Sequence, residues 1–283
     1  MKVVVVGAGT MGQGIAEVAL AAGIRTCLVD LDDGTLEAAR AAIKRRLIRR
    51  SPAGQADGDS PPPGLSLSTE LAAACEHADV VIETASEDLA IKIGILTEAA
   101  GATPSTTLLA TNTSALSVTE MGTASRAAER VVGLHFFNPV PRMRLVEVVR
   151  GLGTSESSVR QAIEFCASLS KEAVVLNDSP AFVASRINAL IGNEAFTMLQ
   201  EGVASAEDID KALRLGLNHP MGPFELGDLV GWDVRYKVLQ HLHHTLGDRF
   251  RPCPLMVTYV KAGRLGRKTG RGVYEYPDTD VRS

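Results

Sequence analysis

The 283-residue sequence predicts an α/β domain followed by an all-α domain, on three observations. Short β-branched runs alternate with alanine-rich helical patterns as far as Leu176, the order expected of a parallel sheet. A glycine-rich turn separates the first of these runs from the first helical pattern. After Asn177 the strand texture stops, and the later segments carry helical periodicity. At about 150 residues per domain, a chain of this length accommodates two. The boundary is expected at 183/184, giving an α/β domain over residues 1–183 and a helical domain over 184–283.

Strands are expected at Val3–Val6, Arg25–Asp30, Asp79–Glu83, Thr107–Thr111, Val131–Phe136, Leu145–Val149 and Ala173–Leu176. Between them run helices, including Met11–Ala22 and Leu36–Arg50; in the second, Leu36, Ala39, Ile43 and Leu47 form one apolar stripe. Ser51–Gly64 reads SPAGQADGDSPPPG and is expected to be an exposed, mobile loop. Asp178-Ser179-Pro180 looks like an N-cap with proline in the first helical turn. The helix it opens is expected to run to about Glu201, with Ile187, Leu190, Ile191 and Met198 on one side and Gly202 as its stop. Ser205 to Asp208 resembles a capping box opening the next helix. Later breaks fall at Gly216, His219–Pro223 and Gly247, and no internal repeat is evident.

Composition excludes several classes of function. With 29 Lys and Arg against 33 Asp and Glu, the net charge of -4 gives no general field for nucleic acid or anionic membrane. Hydrophobic residues at 45% and charged residues at 22% argue for a packed core rather than disorder. No apolar run approaches the roughly 18 residues of a membrane span, and the N-terminal run is too short for a signal peptide. A cytoplasmic protein is therefore expected. Cys27, Cys75, Cys166 and Cys253 lie far apart without a CxxC pair, so they are expected as buried, reduced thiols, not as a disulfide scaffold. His241, His243 and His244 have no accompanying carboxylate or thiol motif, and no metal is expected.

Gly7-Ala8-Gly9-Thr10-Met11-Gly12 matches GxGxxG, a weak motif alone and a strong one in this context. A hydrophobic strand precedes it, a helical pattern follows it, and the second strand ends at Asp30, 18 residues after Gly12. The first glycine permits a tight turn, the second lets backbone approach a pyrophosphate, and the third brings helix and strand together. The helix start offers unpaired N–H groups and a positive dipole end to phosphate. Gly7, Gly9, Thr10, Met11 and Gly12 thus form the expected cofactor turn of a Rossmann-type domain. Asp30 would accept hydrogen bonds from ribose hydroxyls and repel a 2′-phosphate. Leu31-Asp32-Asp33 supplies no compensating arginine, so NAD is favoured over NADP.

A second constellation surrounds His135. It closes a strand in Leu134-His135-Phe136-Phe137-Asn138-Pro139, and Glu147 lies 12 residues on, in the next strand. A strand-turn-strand path of that length can bring imidazole and carboxylate together. Such a pair suits a dehydrogenase, because imidazole takes a hydroxyl proton near neutrality while hydride leaves the same carbon. Spacing alone is equally compatible with a hydrogen-bonded structural histidine. Ala110-Thr111-Asn112-Thr113-Ser114 ends the preceding strand, at the carboxyl edge where ligands of open α/β sheets bind.

Taken together, GAGTMGQGIA, IETASE, TNTSAL, GLHFFNPVP, LVEVV, NHPMGPFELGDLVG and LGRKTGRGVYEY resemble the 3-hydroxyacyl-CoA dehydrogenase family, most closely its bacterial 3-hydroxybutyryl-CoA members. The resemblance covers nearly the whole chain. It implies NAD-dependent oxidation of an (S)-3-hydroxyacyl-CoA to the 3-oxo thioester, as in fatty-acid β-oxidation, and a homodimer formed through the helical domain. By motif it implies that His135 is the general base, Glu147 its orienting partner and Ser114 the group bonded to the substrate oxygen, with Asn138 nearby. Glu87, Lys92 and Lys268 are implied as further cofactor contacts, joined by Ser114 and Asn138.

Two departures stand out. Pro180 to Arg186 reads PAFVASR, so Ser185 stands where many members have asparagine. The helical clamp that usually covers CoA is replaced in part by the loop 51–64. Lys44, Arg45, Arg46, Arg49 and Arg50 form a basic cluster that is either a solvated face or a receiver of CoA phosphates. Two other functions remain open: a CoA-independent dehydrogenase such as L-gulonate 3-dehydrogenase, and a non-catalytic NAD-binding structural protein.

Overall fold

The computed structural model describes residues 1–50 and 61–276. The chain divides into two compact units, Met1–Ser179 and Pro180–Ser283. In the first, strands β1 (Lys2–Val6), β2 (Arg25–Val29), β3 (Leu65–Ser68), β4 (Val80–Glu83), β5 (Leu108–Thr111), β6 (Val131–Phe136), β7 (Leu145–Arg150) and β8 (Glu172–Asn177) form one sheet. Helices α1 (Thr10–Ala21), α2 (Asp33–Arg50), α3 (Leu71–Cys75), α4 (Leu89–Ala102), α5 (Val118–Ala124) and α6 (Glu156–Ser168) connect them. The second unit holds α7 (Ala184–Gln200), α8 (Ala206–Gly216), α9 (Pro223–Val230), α10 (Trp232–Leu246) and α11 (Pro254–Lys261).

Sheet order is β3-β2-β1-β4-β5-β6-β7-β8. Pairings are parallel except between β6 and β7. The order reverses between β1 and β4, which opens a crevice at the carboxyl ends of those strands. Continuous apolar runs such as Val3–Val6 are buried on both faces, as a helix-covered parallel sheet requires. On α2, Leu36, Ala39 and Ile43 are buried, with Leu47 packed against the same core. Burying each of these large aliphatic side chains stabilises the fold by about 1.5–3 kcal/mol.

All seven expected strands form, each within a residue or so of its predicted span. An eighth, β3, was not anticipated. It is a four-residue edge strand, LSLS, pairing only with β2. Of the predicted loop Ser51–Gly64, residues 51–60 lie outside the described residues. All four cysteines are buried and free. Burial pushes the Cys75 thiol up to about 11 and the Cys166 thiol up to about 12, so neither carries appreciable thiolate near neutrality.

The expected start and cap of the first helix of the second unit are corrected. The helix begins at Ala184, not after Ser179; residues 180–183 form turns, with Ala181 and Phe182 at positive φ. Asp178 does not cap it. Its Oδ2 instead accepts from Ser117 Oγ (2.7 Å) and Thr119 N (2.8 Å) at the start of α5. The buried face of α7 is Ala189, Gly192, Asn193, Ala195 and Phe196, while Ile187 is 53% exposed. Phe196 packs edge-on against Trp232, with centroids 4.6 Å apart, and against Phe224 and Tyr259. This aromatic cluster selects the face with small neighbours, turning much of the aliphatic stripe away from the core.

Candidate active site

The β1–α1 turn is built around its glycines. Gly7 has φ +106°, and a Cβ there would fall 2.9 Å from the Thr84 carbonyl. A Cβ on Gly12 would lie 1.8 Å from Gly7 O, whereas one on Gly9 meets no atom within 4 Å. The turn is therefore closed on the protein side and open at its middle residue. Thr10 and Met11 follow as the first residues of α1, whose N-cap Gly9 supplies no side-chain hydrogen bond. Unpaired N–H groups at a helix start and an open glycine are what a pyrophosphate needs.

Asp30 sits one residue beyond β2. Its Oδ2 accepts from Ala8 N at 2.7 Å, tying the carboxylate to the glycine turn, and its Oδ1 accepts from Leu31 N at 2.8 Å. Both bonds come from backbone N–H groups, so the carboxylate retains lone pairs for ribose hydroxyls. These residues fit a bound NAD. In the basic cluster of α2, Arg46 is partly engaged internally: its Nε lies 2.8 Å from Glu17 and its Nη2 lies 3.1 Å from Gln13 Oε1.

At the next strand ends a charged network occupies the sheet edge. Glu83, wholly buried, stands in register with Val6 on one side and Thr111 on the other. Its carboxylate accepts from Thr111 Oγ1 (2.7 Å), Ala85 N (2.6 Å) and Lys92 Nζ (2.9 and 3.0 Å). Burial raises the pKa of Glu83, and the Lys92 ammonium and Thr111 hydroxyl pull it back. Lys92 is also buried, 3.4 Å from Glu87 Oε2. Removing one member of such a buried pair typically costs about 3–5 kcal/mol. Glu87 Oε1 in turn accepts from Thr113 Oγ1 (2.5 Å) and Ser114 N (3.0 Å).

His135 and Glu147 are direct cross-strand partners in the antiparallel β6–β7 pair. His135 Nδ1 lies 2.6 Å from Glu147 Oε2, and both side chains are buried. The tautomer that donates Nδ1–H to this carboxylate places the imidazole lone pair on Nε2. The Phe137 ring packs on the imidazole, with centroids 4.5 Å apart. Asn138, exposed, follows in the β6–β7 turn. Lys171 Nζ holds that turn from β8's side by donating to Val140 O (2.5 Å) and Met143 O (2.7 Å). Asn112 Oδ1 accepts from Phe136 N at 2.9 Å, linking the ends of β5 and β6.

The first unit thus gathers most of the predicted residues at one edge of its sheet: Gly7 to Gly12 and Asp30 at β1 and β2, Glu87 and Lys92 after β4, Ser114 after β5, and His135, Asn138 and Glu147 at β6 and β7. Lys268 belongs to the second unit, where its Nζ lies 2.5 Å from Asp233 Oδ1. Ser185 is in the first turn of α7. Glu83, Thr111 and Lys171 were not singled out from sequence. The available signal for Glu83 was an acid closing the apolar run VVIE, a position where burial demands a partner.

In the second unit, Asp228 and Asp210 organise the C-terminal motifs. Asp228 accepts from Trp232 Nε1 (2.6 Å), Val273 N, Tyr274 N and Tyr276 OH. Asp210 accepts from Phe224 N, Glu225 N and Tyr274 OH, and burial raises its pKa. His243 pairs with Asp248 at 2.9 Å.

Comparison with known proteins places both units in one family. Residues 2–179 match the model of the 3-hydroxyacyl-CoA dehydrogenase NAD binding domain, and residues 182–276 match that family's C-terminal domain. The chain is 42% identical over 281 residues to the probable 3-hydroxybutyryl-CoA dehydrogenase of Bacillus subtilis, covering 98% of both chains. It is 42% identical to the 3-hydroxybutyryl-CoA dehydrogenase of Bradyrhizobium diazoefficiens, covering 97% of this chain and 95% of that one. The crystal structure of (S)-3-hydroxybutyryl-CoA dehydrogenase from Ralstonia eutropha superposes with a TM-score of 0.90 at 38% identity, covering 98% and 99%.

Proposed function

The chain belongs to the 3-hydroxyacyl-CoA dehydrogenase family, and from that premise we propose that it oxidises (S)-3-hydroxyacyl-CoA, with 3-hydroxybutyryl-CoA the expected substrate, to 3-oxoacyl-CoA. The reaction is reversible and belongs to the β-oxidation type. The observation that carries the assignment is the 2.6 Å His135–Glu147 contact on the sheet that also ends in the glycine turn and Asp30.

Glu147 fixes the imidazole tautomer and stabilises the imidazolium. His135 Nε2 takes the proton of the 3-hydroxyl. Ser114 and Asn138 orient the substrate oxygen. When bound, NAD⁺ supplies the acceptor for the hydride released from the same carbon. Gly7, Gly9, Thr10, Met11 and Gly12 would hold the pyrophosphate and Asp30 the adenosine ribose, and Glu87 would be a further contact to the cofactor. Lys92 was implied by motif as a cofactor contact; with its ammonium engaged by Glu83 and Ala85 O, the role proposed for it is instead to support Glu87 from behind. Lys268 is assigned to the cofactor only by its motif.

A homodimer through the second unit is also proposed. Its support is a set of aliphatic side chains exposed on that unit, among them Ile187, Val203, Leu215, Leu217 and Val234. Among the described residues no helix is long and apolar enough to cross a membrane, which is compatible with the proposed cytoplasmic location. The functional assignment is tested by NADH formation from (S)- and (R)-3-hydroxybutyryl-CoA. Turnover of the (S) isomer alone is expected. Turnover of the (R) isomer, or of neither, contradicts the assignment.

A further inference from the structure

The cofactor-side carboxylate Glu87 is held by a chain of charge that starts deep in the sheet. Glu83 is wholly buried at the carboxyl end of β4 and receives donors from β5, from its own following loop and from α4. A charge buried there has no solvent to disorder it, so its donors are fixed by geometry. Lys92, 1% exposed, donates to both oxygens of Glu83 and to Ala85 O, and its ammonium still lies 3.4 Å from Glu87 Oε2. Glu87 is itself about half exposed, and on its other oxygen converge Thr113 Oγ1 and Ser114 N. An exposed carboxylate on a loop would ordinarily sample several rotamers. Here one oxygen faces a fixed ammonium and the other two donors, which leaves a single arrangement.

We propose that Glu83 is a positioning residue for the dinucleotide site, fixing Lys92 and through it the Glu87 carboxylate and the Ser114 loop. The Glu83 carboxylate is bonded to Ala85, Lys92 and Thr111, and it acts on the site through Lys92. With the Glu83 charge removed, Lys92 has Glu87 as its remaining carboxylate at short range. The ammonium then draws Glu87 inward, away from Thr113 and Ser114. The consequence falls on cofactor affinity and on the loop that carries Ser114, not on the proton transfer at His135. This inference rests on the reading of Glu87 as a cofactor contact.

The test is a double-mutant cycle read by NADH fluorescence titration, with thermal unfolding of the cofactor-free proteins alongside. Glu87→Gln alone is expected to raise the NADH Kd, and Glu83→Gln alone to raise it by roughly 3- to 30-fold. The double variant is expected to bind no more weakly than Glu87→Gln alone, since both changes break one chain. A purely structural role lowers Tm while leaving the Kd of the folded protein unmoved, and that result overturns the proposal. Full additivity of the two losses overturns it as well. If Glu83→Gln does not fold, Thr111→Val removes one donor to Glu83 at nearly constant volume. It is then expected to weaken NADH binding in the same non-additive way, and an unchanged Kd counts against the proposal. Failure of the underlying reading looks different: Glu87→Gln itself leaves the NADH Kd unchanged.

Discussion

In the proposed reaction His135 and Glu147 act as a pair, because the sheet makes them neighbours. Antiparallel register sets the two side chains directly opposite on one face, within the distance at which cross-strand groups interact. A turn that shifted the register by one residue would send Glu147 to the other face. His135→Ala is expected to lower kcat by roughly 10²- to 10⁴-fold, the usual loss for a positioned acid–base group. The NADH Kd should stay nearly constant, as fluorescence titration will report; retention of most activity would require another base. The proposed role of Asp30 is to act by charge at one point. Its carboxylate is bound to Ala8 N, and Leu31, Asp32 and Asp33 add no cation, so Asp30→Ala should erode the preference for NADH over NADPH in kcat/KM. A preference that survives intact would move cofactor discrimination elsewhere. The His135–Glu147 pairing was legible as a possibility in the 12-residue strand-turn-strand spacing, whereas its catalytic reading came from the family resemblance, since that spacing fits a structural histidine equally well. Glu83 was not singled out: an acid closing the apolar run VVIE hints at burial, but its partners Lys92 and Thr111 lie on other elements and give no local signal.

Elements were read well where one periodicity governed them, and poorly where a distant partner decided. The α2 stripe follows directly from its 3.6-residue repeat. The start of α7 did not follow from Asp178-Ser179-Pro180, since Asp178 is claimed by α5 from across the fold. Its N-cap-like signature is therefore real chemistry serving another helix. Asp178→Ala is expected to destabilise by about 0.5–2 kcal/mol, the usual cost of losing a cap. Hydrogen exchange should place the lost protection in residues 118–124, while protection in residues 184–200 persists. Loss confined to α7 would restore the local reading. The aliphatic stripe of α7 does not coincide with its buried face. Counting aliphatics favours Ile187 and its neighbours, whereas the aromatic cluster around Phe196 and Trp232 takes the smaller side. The β3 strand escaped notice because four alternating residues beside a proline-rich stretch give little periodic signal.

At the scale of the whole molecule, the alternation of strands and helices followed by helices alone was enough to foresee an α/β unit and a helical one. Their residues on either side of Ser179/Pro180 form separate compact bodies. The exposed aliphatic side chains of the second unit should be covered by a second copy, and light scattering at micromolar concentration is expected to give a dimer mass. A stable monomer near the chain mass of 29.9 kDa would leave those side chains without their proposed partner. The central claim is that this dyad works on a CoA thioester with NAD. Its most direct test is the loss of NADH absorbance when the purified protein meets acetoacetyl-CoA, free acetoacetate and L-gulonate in parallel, the last with NAD⁺ and followed as NADH gain. Rapid NADH oxidation with acetoacetyl-CoA and negligible turnover of the two free compounds is the predicted result. Equal or faster turnover without CoA, or no turnover of any of the three, would contradict it.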